Sequence, residues 1–188
     1  RTEWTRVFLD ASANTLDWSA PKTEASKSFE AMGDGLTWHA PPLEAETEIT
    51  GPLALKLFIS STTSDADFFI TVQAWSPDGT EVVFQGTLDP NTPIAQGWLR
   101  ASHRKLDSEK TLYYRPYHTH DNKQPLIPHR IYEIDIEIWP TCIILPAGYT
   151  LSINIRGKDF ERPGPDASPA FPTRGSGPFY HNDEHDRP

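Results

Sequence analysis

Ile131-Tyr132-Glu133-Ile134-Asp135-Ile136-Glu137-Ile138-Trp139 decides the fold class. Tyr132, Ile134, Ile136 and Ile138 fall on one side of an extended chain, and Glu133, Asp135 and Glu137 fall on the other. A period of two with one apolar and one charged side describes a strand with a core face and a wet face. The same alternation recurs in Leu53–Ile59, Phe68–Trp75 and Leu151–Arg156. Shorter strands are expected at Thr5–Leu9, Ser28–Met32, Gly35–His39, Glu46–Thr50, Glu81–Leu88 and Gly97–Arg104. Ser76-Pro77-Asp78-Gly79 and Pro146-Ala147-Gly148 separate strand runs with the residues that tight reversals need, and Gly51-Pro52 marks a corner. Ser102–Tyr113 is polar and irregular, with room for one helical turn.

The composition agrees. The 188 residues include 18 prolines and 11 glycines, too many for long helices and suited to strands joined by turns. Hydrophobic residues are 37% of the chain and charged residues 23%, as in a folded protein. About ten short strands predict an all-β antiparallel sandwich of two packed sheets. A formal net charge of -9 argues against nucleic acid and against an anionic membrane surface, and no apolar run reaches spanning length. The single cysteine, Cys142, excludes an internal disulfide and favours a cytoplasmic setting. It reads as a small buried hydrophobe rather than a nucleophile.

No motif supplies a complete reaction centre. Arg174-Gly175-Ser176-Gly177-Pro178 has a serine between glycines, but its spacing is wrong for a strand-to-helix nucleophile turn, and proline stands where a helix would begin. His118-Thr119-His120-Asp121 offers imidazoles and a carboxylate in a proline-rich stretch, which reads as loop bracing more readily than as a metal centre. His181–Asp186 is dense in oxygen and imidazole but lacks the pattern of a calcium loop. Asp65 and Asp67 precede one strand and Arg100 and Arg104 end another, so they are structural ion-pair candidates. Catalytic residues, metals and cofactors are therefore expected to be absent from this chain. The strand tryptophans Trp38, Trp75, Trp98 and Trp139 suit a core or an interdomain contact, or alternatively a surface that stacks sugars.

Several runs occur in a familiar order: Pro42–Pro52, Asp65-Ala66-Asp67-Phe68-Phe69, Gly97–Arg104, Tyr132–Thr141, Pro146-Ala147-Gly148-Tyr149 and Gly157-Lys158-Asp159-Phe160. Together they resemble the C-terminal non-catalytic domain of X-Pro dipeptidyl-peptidases and cocaine-esterase-like serine hydrolases. Trp4-Thr5-Arg6 resembles the lead-in between the two domains of such proteins. The resemblance implies a galactose-binding-like jelly-roll over residues 35–188, with residues 1–34 as a lead-in that partly joins it. It also implies a partner, the α/β-hydrolase catalytic domain of the same parent chain, which holds the triad and cleaves esters or amides. Gly177-Pro178-Phe179-Tyr180-His181 matches a tail after which relatives add a last strand, so that strand is expected to be missing and self-association becomes an option. Trp38, Tyr113, Tyr114, Tyr117 and His118 are the substrate-pocket or interdomain candidates, the last four on a 106–128 loop with three prolines. The alternative is a free-standing carbohydrate-binding module.

Overall fold

The computed structural model of the chain describes residues 3–85 and 91–160. Among them run β1 (Phe8–Asp10), β2 (Thr15–Asp17), β3 (Leu36–His39), β4 (Thr47–Ile59), β5 (Asp67–Trp75), β6 (Glu81–Val82), β7 (Ala95–Arg100), β8 (Tyr132–Leu145) and β9 (Thr150–Arg156). The only helical element among the described residues is a 3-10 turn at Ala101–His103. The strands form one hydrogen-bonded path, β1-β2-β3-β9-β5-β7-β8-β4, with β6 paired to β5. Every pairing is antiparallel except β2 with β3, which meet in parallel at Thr15 and His39.

No helical layer among the described residues lies over this sheet, yet its apolar face is dry. Ile134, Ile136 and Ile138 of β8 pack in one cluster with Ile70 of β5, Leu99 of β7, Ile155 of β9 and Trp38 of β3. The sheet therefore curls and covers itself, and the two layers expected from the sequence are two halves of one path. The halves join between β7 and β8, where one residue pair, Gly97 with Ile138, carries the register. Burying each such Ile or Leu contributes roughly 1.5–3 kcal/mol. An exposed ion pair such as Lys56 with Asp135 contributes about 0–1 kcal/mol. The core decides stability.

The observed strands depart from the alternation in instructive places. Gly51-Pro52 is not a corner. β4 runs straight through it against β8, and between Gly51 and Leu53 a single residue faces Trp139 and Pro140. β4 ends the strand order, so one side of its backbone has no neighbouring strand among the described residues, and a proline costs no ladder bond there. Ser28–Met32 forms no strand and instead turns, with Gly33 donating to the Glu30 carbonyl at 2.8 Å. The Gly97–Arg104 run leaves the sheet after Arg100, where the 3-10 turn begins. The Glu81–Leu88 run pairs with β5 at Glu81–Val82 and with Thr92 through an isolated bridge at Phe84, and its last residues lie outside the described ones. β2, three residues long, has no alternation to mark it, and its start follows Asn14 at φ 60°.

A methyl at Gly97 would stand 2.3 Å from the Glu137 carbonyl oxygen and 3.0 Å from the Ile138 Cα. Both are backbone atoms of β8, so Gly97→Ala forces the two halves apart. The expected result is a urea-unfolding stability lowered by about 1–3 kcal/mol; an unchanged midpoint would show that the seam tolerates a side chain.

Candidate functional site

A cleft of about 320 Å³ opens on the outer side of the β7–β8 seam. Trp98, Arg100, Glu137 and Trp139 form its sheet wall, and His103, His118 and His120 close it from the 3-10 turn and the loop that follows. Trp98 and Trp139 lie 4.8 Å apart with planes at 59°, and Trp139 is 58% exposed. Arg100 is not free to swing into the cleft. Its Nε and Nη2 donate to the two carboxylate oxygens of buried Asp67 at 2.8 and 3.1 Å.

The loop owes its position to backbone bonds. Gln124 donates to the Ser102 carbonyl at 2.7 Å, Leu126 to Ser64 at 2.6 Å and His129 to Ser61 at 2.7 Å. Arg104 donates through Nη1 to the carbonyls of Ala101 and Gln124, and its guanidinium lies 4.6 Å from the Tyr132 ring centre. His118 donates from Nε2 to the Asp135 carbonyl at 2.9 Å, which fixes the neutral ring's proton on Nε2. His103 and His120 meet Nδ1 to Nδ1 at 3.1 Å, so one ring must present a proton and the other a lone pair. Burial holds the His118 imidazole below its ordinary value, with nearby His120 adding to the effect. His103 is lowered for the same first reason, then by His120 and Lys123.

A second cluster stands beside this loop. Trp4 stacks on Tyr114 with ring centres 4.1 Å apart and planes within 6°, and meets Tyr113 edge-on at 5.9 Å. Tyr113 and Tyr114 are themselves edge-on at 5.1 Å. Tyr117 is exposed and carries Lys110 4.9 Å above its ring.

The residues singled out from sequence separate into three groups. Tyr113, Tyr114, Tyr117 and His118 all sit on the one ordered loop. Trp38 does not belong with them: it is 5% exposed in the core, and its indole N–H donates to the Asp10 carbonyl at 3.1 Å. Its face of β3 points inward, into the core cluster. Among the ion-pair candidates, Asp67 takes Arg100. Asp65 instead accepts backbone N–H groups of Ala66 and Ser102, both at 2.9 Å, and Arg104 is satisfied by carbonyls, so these two form no pair. Cys142 is exposed rather than buried because it lies on the wet side of β8. No three His, Cys, Asp or Glu side chains converge as metal ligands among the described residues. Asp121 is held by Lys105 at 2.8 Å and His120 sits at φ 52°, so the His118-Thr119-His120-Asp121 run is not a straight strand, although the His118 and His120 rings lie 5.9 Å apart at the cleft. Ser176, the 177–181 tail and the 181–186 cluster lie outside the described residues. His103, Glu137 and Trp4 were not singled out by their sequence context; only the curl of the sheet and the course of the loop bring them to these clusters.

A family model described as the X-Pro dipeptidyl-peptidase C-terminal non-catalytic domain matches residues 4–185. Two proteins named as serine esterases, from Mycobacterium bovis and Mycobacterium tuberculosis, are each 33% identical over 128 residues. Those matches cover 66% of this chain and 19% of each relative, so the chain spans about a fifth of their length. The structure of a CocE/NonD family hydrolase from Staphylococcus aureus superposes with a TM-score of 0.85 at 27% identity, over 93% of this chain and 32% of that one. An α-amino acid ester hydrolase shares the fold, with a TM-score of 0.58 at 12% identity over 81% of this chain and 28% of its own. No helix among the described residues is long and apolar enough to cross a membrane.

The lowered histidines have a consequence for stability. The unfolded chain takes up protons on His103 and His118 at the ordinary value near 6.5, whereas the folded chain takes them up only at lower pH. Stability is thus full above that value and falls as the pH drops through the window beneath it. The exposed carboxylates Asp107 and Asp121, also lowered, contribute a separate loss only below about 3.8. Urea midpoints measured from pH 7.5 to 5 are expected to decline in the natural chain, and to decline less in a His103→Gln/His118→Gln variant. Parallel slopes would remove the two rings from the acid response.

Proposed function

The chain belongs to the family of X-Pro dipeptidyl-peptidase C-terminal non-catalytic domains, and on that premise we propose that it serves a serine hydrolase whose nucleophile lies in another domain of the same protein. The observation that carries this reading is the family match across residues 4–185. The parent reaction is hydrolysis of acyl esters or of X-Pro amides by an α/β-hydrolase domain.

In this reading the domain packs on the catalytic domain and forms part of the wall around its substrate. The 106–128 loop is the element suited to that task. Backbone bonds to Ser61, Ser64 and Ser102 and the His118–Asp135 bond hold it in one place, so Tyr117 and His118 present a fixed surface. A wall of this kind selects among acyl groups without taking part in bond cleavage. Exposed Cys142 suits a reducing compartment, which supports cytoplasmic residence. The edge of β4, which has no neighbouring strand among the described residues, supports limited self-association, restrained by Pro52 and the charge of Lys56.

The test compares the full-length protein with residues 1–188 on aryl esters of increasing acyl length and on X-Pro anilides. The full-length protein is expected to turn over one of these series in a manner abolished by a serine-directed inhibitor, and residues 1–188 to turn over none. Tyr117→Ala in the full-length protein is expected to raise KM several-fold for bulky acyl groups while leaving the acetyl ester unchanged. Inhibitor-sensitive turnover by residues 1–188 alone would overturn the non-catalytic assignment, and a uniform effect along the acyl series would remove the loop from the pocket.

A further inference from the structure

We propose that the catalytic domain of the parent hydrolase docks on the aromatic surface formed by Trp4, Tyr113 and Tyr114. The inference rests on the reading above and adds the place of contact. Residues 3–7 form no strand and are exposed, so Trp4 is not held there by a backbone ladder. Its ring is held by a face-to-face stack on Tyr114 and an edge contact with Tyr113. The two tyrosines are raised on a tight turn closed by reciprocal backbone bonds between Leu112 and Arg115, at 3.0 and 2.9 Å. Three aromatic rings are thereby assembled and oriented, yet Trp4 remains 39% and Tyr113 71% exposed, with Leu112 beside them at 42%.

A pre-assembled and still wet aromatic cluster has the composition of the core of a protein–protein contact. Trp and Tyr bury much area at little entropy cost, and the tyrosine hydroxyls and the indole N–H can still reach polar partners. Lys110, over the neighbouring Tyr117, supplies the charge expected at a rim. Two other exposed apolar side chains are set differently. Phe58 stands opposite Glu133, and Ile144 opposite Glu48, as single apolar groups among charges that need no partner.

The length of the relatives identifies the occupant. The chain matches a C-terminal domain and spans 32% of the staphylococcal hydrolase. In a protein of that plan the catalytic domain is joined through the residues before Trp4. The polypeptide coming from that domain is clamped onto the cluster by Trp4 itself, so the tether delivers the domain to this surface at high effective concentration. Trp4 also lies over the β4 bulge, with its Cη2 3.9 Å from where a Gly51 side chain would begin, which places the cluster against the rigid sheet.

The experiment uses the full-length protein and follows thermal unfolding, protease cleavage between the domains and serine-hydrolase turnover together. In the natural protein the two domains are expected to unfold in one coupled transition. Tyr113→Arg changes a side chain that is largely in water and puts a charge into the contact without disturbing the fold. It is expected to split the transition in two and to speed interdomain cleavage at least ten-fold. Trp4→Ala/Tyr114→Ala is expected to act in the same direction, while Phe58→Ala, on the edge strand, leaves the coupling intact. A single transition and unchanged protection in both Tyr113→Arg and Trp4→Ala/Tyr114→Ala would overturn the docking surface even if turnover is normal. Absence of inhibitor-sensitive turnover in the natural full-length protein would instead overturn the hydrolase reading on which the surface rests.

Discussion

Two backbones approach at Gly97 so closely that no side chain fits between them. This contact with Glu137 and Ile138 is where one half of the sheet passes into the other, through a single register pair. A fully laddered junction would keep neighbouring strands in one gently twisted layer. A one-residue seam lets the layer turn back on itself, so that Ile134, Ile136 and Ile138 face Ile70, Leu99 and Ile155 across a dry interior. Without a covering helix, closure of that kind is what gives the isoleucines something to bury against. The aligned Asp67–Arg100 pair stands on the same β7 strand and, with its partner on β5, braces the sheet beside the seam.

The outer surface follows from the same bend. Residues that alternate inward on β8 leave Asp135, Glu137 and Trp139 pointing out, and the seam brings Trp139 against Trp98. The 106–128 loop is then laid over this outer face, with His118 bonded to the Asp135 carbonyl and Arg104 resting on Tyr132. A loop fastened to a rigid sheet at several backbone positions is a means of placing side chains accurately. The family to which the chain belongs is described as non-catalytic.

How far the sequence could be read depended on how many faces of a strand are covered. β8 has one wet face among its charged residues, and its alternation named the inward isoleucines correctly. β9 also alternates apolar with polar, but residues 152–155 are all buried, so both of its faces are covered. Ser152 is fully buried and accepts the Trp75 indole N–H at 2.8 Å, and Asn154 donates to Leu36 and Asp34 carbonyls and to Thr37 Oγ1 at 2.8 Å. Polar identity there reports internal hydrogen bonding and not contact with water. Gly51-Pro52 misled for a related reason: its significance depends on whether β4 is a central or an edge strand, and that is a property of the whole sheet.

The six tryptophans show why the site itself was harder to read than the fold. Trp38 and Trp139 both lie in strands, yet one is 5% exposed and the other 58%. The difference is set by the curl, which closes over β3 and leaves the outer side of β8 open. Trp38 also donates its N–H to the Asp10 carbonyl, which ties the lead-in to the sheet. Trp4 has no strand pattern at all, and its position becomes meaningful only once the Leu112–Arg115 turn brings Tyr114 beneath it. Residue type identified which side chains were costly to expose. Which of them the folded chain nevertheless leaves exposed is decided by long-range closure of the sheet, so that closure, more than any local motif, marks where a second domain can add contact.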